Sequence, residues 1–456
     1  MQLNGELTTL DLQRCYFNEI EMGFHSLNSS LSYRQIIAFF IPLGISASLT
    51  SITHVIINGT LSRGDNAPFI IACYAVAMSL FDILEKPMIV FRQTASALVT
   101  DRKSFKLLST FFIYVLTIVI LIGGVIAFTP LGDWSYRNIF NASPDMVSAI
   151  SVTFKVIIAV IIFSGIRGLY QGIIINQLAT NWLTIGVITR LISMFLISFL
   201  FITFDYVTSV SGALIFLFGM IIECVVSVYK GNNLLNNNYQ EKSQHYLLKA
   251  DISRFYFPLM YYFLIQTMLS PIIYILLAKS TDLEMSIASF SLAFSITQLI
   301  LGFFMYTHQL VLQFYNLDKQ KIIKFVIISS LIPTLLLCLL CYTPLGIFFM
   351  QVIMGADQAL ALATLDVLKF FIIKTLFFPW VDFLNGFLLL NRQTNKMVFS
   401  QIGNILTVII SLIFLVSIWP QLDGVNASIA ASLGELSGFI IISIIVYRMS
   451  KKRSSN

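Results

Sequence analysis

Charge is scarce in this chain of 456 residues. Charged residues make up 11% of it and hydrophobic residues 57%, and the mean hydropathy is +0.86. A soluble domain carries about 25% charged residues, because its surface has to be hydrated. The shortage excludes a soluble enzyme, a disordered chain and a nucleic-acid-binding protein, so the net charge of +6 implies no nucleic-acid partner. The class that remains is an integral membrane protein, whose apolar runs of about 20 residues cross the bilayer as helices.

Cysteine and histidine are also rare, with five and four copies. Cys338 and Cys341 form a C-x-x-C pair inside an apolar run, where they fit two small apolar side chains of a membrane helix. The sequence contains no H-E-x-x-H pair, no glycine-rich phosphate loop and no cluster of carboxylates on a loop. We therefore expect no metal site, no cofactor and no enzymatic activity.

Twelve long apolar runs predict an all-α polytopic membrane protein with about 12 transmembrane helices. The runs do not show the ten-residue alternation that is typical of a membrane barrel. The segment 1–32 lacks a basic stretch followed by an apolar one, so we expect no cleaved signal peptide. The predicted spans are Ile36–Leu61, Pro68–Val90, Leu107–Phe128, Val147–Ile174, Leu183–Phe204, Val207–Val228, Tyr256–Ala278, Ser286–Leu312, Ile323–Tyr342, Leu360–Leu390, Val398–Trp419 and Val425–Tyr447.

Basic residues are distributed unevenly between the connecting segments. With the N-terminus placed in the cytoplasm, the inner segments hold 19 of the 28 lysines and arginines. The outer loops hold only Arg63, Arg137 and Lys279, and six basic residues fall inside spans. Because positive charge is retained on the cytoplasmic side, both termini are predicted to be cytoplasmic. The chain is compact and shows no targeting segment, so we expect it in the plasma (cell) membrane.

Short motifs recur at a nearly constant distance along the chain. Thr129-Pro130-Leu131-Gly132 recurs as Thr343-Pro344-Leu345-Gly346, Pro42-Leu43 as Pro258-Leu259, and Ile185-Gly186 as Ile402-Gly403. These recurrences predict two copies of a six-helix unit in parallel topology, a transporter design with the substrate site between the halves. The predicted segments are a cytoplasmic N-terminal segment 1–32, an N-terminal lobe 33–229, a cytoplasmic linker 230–251, a C-terminal lobe 252–447 and a basic cytoplasmic tail 448–456.

Ionisable side chains inside a membrane span cost about 3 kcal/mol each and usually mark a transport pathway. Lys155 and Lys369 are separated by the same distance along the chain as Thr129 and Thr343, so the repeat puts the two lysines at equivalent places in the fourth and tenth spans. Two lysines that face each other across the cleft would bind a multiply charged anion. The alternative is two unrelated lysines that snorkel to the outer interface. The predicted substrate-binding residues are Lys155, Lys369, Lys374, Arg167 and Arg190.

Some of these cations have alternative partners in the sequence. Arg167 and Arg190 could bind substrate or pair with Glu223, and the sequence leaves both possibilities open. Lys369 could pair with Asp366, which lies one helical turn before it on the same face. The same reasoning lets Asp82 pair with Lys86.

Acidic residues and a histidine within the spans are candidates for coupling transport to a gradient of H⁺ or Na⁺. These candidates are Asp82, Glu85, Glu223, Asp382, Glu435 and His54. Proline inside a helix removes a backbone hydrogen bond and kinks the helix, which permits gating. The predicted gating positions are Pro42, Pro258 and Pro379.

Three segments carry a resemblance to a known superfamily. They are Ile41–Ile45, Ser79–Met88 and Phe377–Pro379 followed by Gly386. In their order and spacing they resemble the multidrug/oligosaccharidyl-lipid/polysaccharide exporter (MOP) superfamily, to which the MATE transporters belong. Within it, the chain most resembles the progressive ankylosis protein family. The resemblance covers nearly all of residues 33–447.

The resemblance implies a V-shaped bundle of two lobes with the substrate in a central cavity. Animal members of the ankylosis family are associated with export of anions such as citrate, ATP or pyrophosphate, which agrees with the lysine pair. MATE transporters commonly carry an acidic coupling residue in the first span, whereas this first span offers only His54 and Asn58. The flippase branch uses cations in its cavity to hold lipid-linked pyrophosphates.

The sequence therefore favours a secondary-active exporter that moves a small anionic solute by alternating access. The alternatives are a flippase for an anionic lipid-linked glycan and a MATE-type cation or drug antiporter. The expected partners are the anionic substrate, the lipid bilayer and H⁺ or Na⁺, and a chain with two lobes can act as a monomer.

Overall fold

The computed structural model describes residues 31–454 apart from 178, 180, 239–246, 392 and 394. The predicted N-terminal segment and the middle of the predicted linker therefore lie largely outside the described residues.

Ten helical segments of the described chain are long and apolar enough to span a membrane. The helices Tyr33–Leu61 and Gln358–Leu390, of 29 and 33 residues, add two more of comparable length. Strands are absent from the residues that the structure describes, so the prediction of an all-α bundle is confirmed. In chain order the twelve spans are Tyr33–Leu61, Ala67–Leu98, Arg102–Phe128, Pro144–Asn176, Asn181–Thr203, Ser209–Asn238, Lys249–Leu277, Leu283–Phe314, Lys319–Tyr342, Gln358–Leu390, Asn395–Ile418 and Gly424–Ser454.

Three of these spans consist of two consecutive helices. The fourth span changes helix at Ile158 and Ala159, and the seventh at Met268. In both places a backbone N–H still donates to a carbonyl of the preceding turn, from Ile158 to Phe154 and from Met268 to Leu264. The eighth span has a longer break: its helices are Leu283–Gly302 and Thr307–Phe314, and residues 303–306 between them form turns.

The two halves of the chain contain the same local structure after their third span. Thr129 and Thr343 both end one helix and cap the next, with φ/ψ of −118°/161° and −123°/163°. Each threonine is followed by proline at the first helical position, where a missing N–H costs nothing. The glycines of the two motifs also match: a Cβ atom on Gly132 or Gly346 would lie 2.0 Å from a carbonyl oxygen of the preceding helix.

The twelve spans form two lobes, spans one to six and spans seven to twelve. We call the end of the bundle where the first span begins the basic end, and the opposite end the far end. Toward the far end, the second and eighth spans pack together, and both carry small buried side chains such as Ala72, Ala75, Ala288 and Ala293. Small residues allow helices to approach closely within a membrane.

An arginine joins the lobes at the far end. The two terminal nitrogens of Arg63 donate hydrogen bonds to the carbonyls of Val352, Ile353 and Met354, at 3.1, 2.7 and 2.9 Å. The chain reverses at Gly355, whose φ is +73°. A Cβ atom there would lie 2.4 Å from the Arg63 side chain, so glycine is needed for this contact.

Nearer the basic end, the first helix of each lobe packs against the other lobe. Phe40 of the first span packs edge-on against Phe325 of the ninth, with ring centroids 5.7 Å apart. Tyr256 of the seventh span packs edge-on against Phe111 of the third, at 5.3 Å. The repeat relates Phe40 to Tyr256 and Phe111 to Phe325, so these two contacts are copies of one another. The lobes therefore meet through a pair of equivalent aromatic contacts.

The repeated glycine predicts a steric effect on stability. Gly132→Ala should destabilise the protein by about 1–3 kcal/mol, because its Cβ would collide with the Ile126 carbonyl. Gly124→Ala is the matched control, since nothing lies within 4 Å of its Cβ position. Thermal unfolding of the detergent-purified proteins measures the difference. Equal melting temperatures for the two variants would contradict the close approach.

Candidate functional site

A cavity of about 740 Å³ lies within the N-terminal lobe, facing the cleft between the lobes. Its lining comes from the first, second, fourth, fifth and sixth spans, and one further lining residue, Tyr306, comes from the eighth span. The lining extends from the middle of the bundle, at Thr53 and Asp82, to the basic end, at Asn181 and Leu183. Because the far end is closed by the packed helices and by Arg63, the cavity is directed toward the basic end.

Helical spacing explains why polar side chains converge on this cavity. In the fourth span, Ser164, Arg167 and Gln171 follow one another at intervals of three and four positions and therefore share one face. In the second span, the cavity-lining residues Asp82, Glu85, Lys86, Ile89, Arg92 and Gln93 recur with the same helical periodicity.

Glycines hold the fourth span against the second. A Cβ atom on Gly172 would lie 2.6 Å from the Arg92 carbonyl oxygen and 2.5 Å from the Ala95 Cβ. A Cβ atom on Gly168 would lie 3.3 Å from the Met88 carbonyl oxygen. Larger residues would push the helices apart, so this glycine face fixes the fourth span so that its polar face lines the cavity.

One carboxylate organises the buried polar groups. Glu223 of the sixth span accepts hydrogen bonds from Arg190 at 2.7 Å and from Arg167 at 2.9 Å, both on the same oxygen. Its other oxygen accepts from Gln171 at 3.0 Å. Arg190 also donates to Thr53 of the first span at 3.0 Å. Four spans are thereby joined through a carboxylate that is 2% exposed.

The remaining charges of the cavity are less constrained. Glu85 is buried and accepts a hydrogen bond from the Ser164 hydroxyl. Lys86 and Arg92 form no ion pair within 4 Å among the described residues. The predicted pairing of Lys86 with Asp82 is therefore absent, although both side chains line the cavity. With Arg167 and Arg190, the cavity has four fixed cations against three carboxylates, the latter being Asp82, Glu85 and Glu223.

The cations predicted to bind substrate separate into two groups. Arg167 and Arg190 line the cavity, and both pair with Glu223. Lys155 and Lys369 do not line it. Lys155 is exposed and lies over the Phe128 ring at 5.8 Å, as expected of a snorkelling lysine. Lys369 pairs with Asp366 at 2.7 Å, which is the alternative partner that the sequence offered.

Lys374 is buried elsewhere, in the C-terminal lobe. Its ammonium nitrogen lies 5.1 Å from the centre of the Phe294 ring and 5.9 Å from that of Phe371. Glu435 is close enough to interact with it electrostatically. These contacts describe a cation held by aromatic rings inside the lobe and outside the cavity described above.

The coupling candidates are also divided between the lobes. Asp82, Glu85, Glu223 and His54 all line the cavity. Asp382 and Glu435 lie in the C-terminal lobe, where Asp382 binds His308. Their roles in coupling stay predictions.

The predicted gating prolines lie within continuous helices. Pro258 is inside Lys249–Thr267 and Pro379 is inside Gln358–Leu390. The side chain of Pro42 lies outside the described part of the first span.

Sequence reasoning missed several cavity residues. Arg92 was expected to lie in a cytoplasmic segment, but the second span continues to Leu98 and carries it into the cavity. The sequence allows Lys86 to pair with Asp82 and be partly neutralised by it. Gln171 and Ser164 carry no charge, so a search for ionisable side chains within the spans does not find them. Their spacing relative to Arg167 was the available signal, because three polar residues on one face of an apolar span require a polar environment.

No family model and no curated protein matches the chain. Solved structures do match. An inward-facing MATE-family multidrug resistance transporter of the MOP superfamily has a TM-score of 0.71 and 13% identity, over 91% of this chain and 99% of that one. The lipid II flippase MurJ in an inward closed conformation has a TM-score of 0.68 and 15% identity, over 89% of this chain and 87% of that one. An outward-facing MATE transporter has a TM-score of 0.56 and 14% identity, over 91% of this chain and 95% of that one. The chain thus has the fold of these membrane transporters.

The central carboxylate should be essential for stability. Glu223→Gln leaves Arg167 and Arg190 buried with no ion-pair partner, and breaking a buried pair in this way costs about 3–5 kcal/mol. Glu284→Gln is the control, since Glu284 lies half-buried at a helix start where its charge is worth about 0.3–1 kcal/mol. Thermal unfolding in detergent compares them. A Glu223→Gln protein as stable as the control would show that the cluster is not a structural constraint.

Proposed function

We propose that this chain is a secondary-active exporter that moves an anionic solute through the cavity of its N-terminal lobe by alternating access. The observation that carries the proposal is the excess of fixed cations in this cavity. Lys86, Arg92, Arg167 and Arg190 all line it, and among the described residues Glu223 is the partner of the two that are ion-paired.

The hydrogen-bonding state of the arginines supports binding of an additional acceptor. The Nε atoms of Arg167 and Arg190 donate to no described group, but both atoms are buried, so a solute in the cavity does not reach them in this conformation. Lys86 and Arg92 contribute further N–H donors without an ion-pair partner among the described residues. Guanidinium and ammonium groups in a site of low dielectric bind carboxylate or phosphate oxygens through short charge-assisted hydrogen bonds. A solute with two or more negative charges would satisfy the donors of Lys86 and Arg92.

The topology supports an export direction. The basic end carries the lysines and arginines of the connecting segments, which places it in the cytoplasm by the positive-inside rule. The cavity is directed toward this end and would take up solute from the cytoplasm. Rocking of the lobe 33–229 against the lobe 252–447 would break the Arg63 contacts and open the far end. Energy would come from an H⁺ or Na⁺ gradient, with the cavity groups Asp82, Glu85 and His54 as coupling candidates.

The substrate class is a finer proposal. The resemblance to the progressive ankylosis family points to citrate, ATP or pyrophosphate as probes. A flippase for an anionic lipid-linked substrate is the second candidate, and the structural likeness to a lipid II flippase favours it. Both candidates use the same cations and differ in whether a lipid tail accompanies the charged group.

Flux into proteoliposomes tests the proposal. The purified protein is assayed with labelled citrate, ATP and pyrophosphate, with tetraphenylphosphonium as a cation and with a fluorescent anionic lipid for flipping. We expect saturable flux of at least one anion. Arg92→Gln and Lys86→Gln should each raise its KM about tenfold or more, since a hydrogen bond to a charged group is worth about 1.5–3 kcal/mol.

Two lysines outside the cavity provide matched controls. Lys155→Gln and Lys369→Gln remove a positive charge outside the cavity, and we expect them to keep KM within about twofold of wild type. If instead these two variants lose flux while Arg92→Gln keeps it, the lysine pair is the anion site and the cavity is not. Flux restricted to the cation would contradict anion export, and flux restricted to the lipid would identify a flippase.

A further inference from the structure

The eighth span is interrupted where the equivalent second span is continuous. Its first helix ends at Gly302 and its second begins at Thr307, and residues 303–306 form turns between them. The second span runs as one helix from Ala67 to Leu98. The second and eighth spans are therefore equivalent in the repeat but differ in continuity, and this difference has a chemical cause.

The cause lies in the neighbouring span of the same lobe. In the N-terminal lobe, Gly172 approaches Arg92 and Ala95; in the C-terminal lobe, Gly386 approaches His308 and Val311 in the same manner, with its Cβ position 2.9 Å from the His308 carbonyl oxygen. His308 therefore corresponds to Arg92, and the repeat places residue 382 where the N-terminal lobe has residue 168.

Residue 168 is glycine, and residue 382 is aspartate. The Cβ position of Gly168 lies 3.7 Å from the Arg92 backbone nitrogen, with no group to bind it. Asp382 instead accepts a hydrogen bond from the His308 backbone N–H at 2.8 Å. It also contacts His308 Nδ1 at 3.0 and 3.1 Å. This N–H is consequently not engaged by a carbonyl of the preceding turn, and the carboxylate favours the start of a new helix.

The break exposes a tyrosine to the substrate cavity. Tyr306 is the last residue before the second helix, and its ring lies 6.0 Å from that of His308. Among the described residues that line the cavity, it is the one contributed by the C-terminal lobe. Arg92 lies within electrostatic range of its hydroxyl. The residue is 36% exposed.

We propose that Tyr306 is the C-terminal lobe's part of the substrate site, and that Asp382 is a positioning residue that holds it there through His308. The phenol donates a hydrogen bond to the anion bound by Arg92, so an occupied site connects the two lobes across the cleft. This inference rests on the anion-exporter function proposed above and adds a specificity-determining residue to it.

A purely structural role for the break makes different predictions. If Asp382 only started the second helix, its loss would reduce stability and would leave the affinity for the anion unchanged. If Tyr306 only filled space, phenylalanine would replace it fully, since the two rings differ by one hydroxyl. The KM for the anion, and the effect of the anion on hydrogen–deuterium exchange near the break, therefore distinguish a structural role from a role in substrate binding.

The first test is transport kinetics with citrate and pyrophosphate in proteoliposomes. Tyr306→Phe should raise KM about tenfold with Vmax within about twofold, because one hydrogen bond to a charged group is lost. Tyr315→Phe is the matched control: Tyr315 lies in the same lobe, packs edge-on against Phe387 at 4.5 Å and does not line the cavity. An unchanged KM in Tyr306→Phe would overturn the proposal.

The second test is hydrogen–deuterium exchange in detergent with and without each anion. In the wild type, the anion should slow exchange in peptides that cover 303–311. Asp382→Asn should abolish this protection and raise KM about tenfold, as expected when a hydrogen bond to a charged group is lost. Asp366→Asn is the matched control, because this aspartate is exposed on the same span and should preserve both readouts. If Asp382→Asn lowers only the melting temperature and keeps both readouts, the positioning role is wrong.

The outcomes distinguish this inference from the function it rests on. If Arg92→Gln loses anion flux while Tyr306→Phe keeps wild-type KM, the function stands and the role of Tyr306 is wrong. If the wild type carries no anion, the proposed function fails and the inference fails with it.

Discussion

The pairing of two arginines with one carboxylate is the interaction on which the rest of the N-terminal lobe depends. A charge inside a membrane protein is tolerated only when it is paired or hydrated, because the bilayer offers it no partner. Glu223 meets this condition for Arg167 and Arg190 at once, and Gln171 and Thr53 complete the network. The network crosses the first, fourth, fifth and sixth spans, so it fixes both the cavity wall and the distribution of charge in it. One carboxylate shared between two guanidinium groups leaves a net positive charge, and the predicted affinity for anions comes from this imbalance.

Helix packing decides which charges reach the cavity. Gly168 and Gly172 allow the fourth span to lie directly against the second, and the adjacent face of the fourth span then carries Arg167 and Gln171 to the centre. Lys155 belongs to the same span but lies on its earlier helix, before the change of helix at residue 158, and it reaches the surface. The repeat relates Lys155 to Lys369 in the tenth span, but equivalence in a repeat does not determine whether a side chain faces the cleft or the lipid.

The architecture could be predicted from the sequence, whereas the site could be predicted only in part. Apolar runs and their spacing determine spans, since an unpaired backbone in lipid is so costly that few alternatives exist. The motif that begins at Thr129 and at Thr343 predicted the repeat, and in the structure each threonine caps the helix that follows it. The choice between substrate and Glu223 as partners of the two arginines depends on the sixth span being adjacent, which no local pattern encodes. Arg92 was missed because an apolar run ends before its helix does: polar residues extend the second span by two turns toward the basic end.

The two lobes have diverged at the position where they would cooperate. Both retain a glycine contact between their second and fourth spans, at Gly172 and Gly386. One turn earlier in the fourth span of each lobe, glycine in one is replaced by aspartate in the other, and a carboxylate placed against a helix backbone competes for its N–H groups. The second span therefore stays helical and presents Arg92, while the eighth breaks and presents Tyr306. Charge on one side of the cleft and a neutral hydrogen-bond donor on the other would allow the proposed anion to be held without two opposing sets of cations. Two opposing sets of cations would repel each other across the cleft whenever the site was empty. This repulsion would oppose the closed arrangement of the lobes.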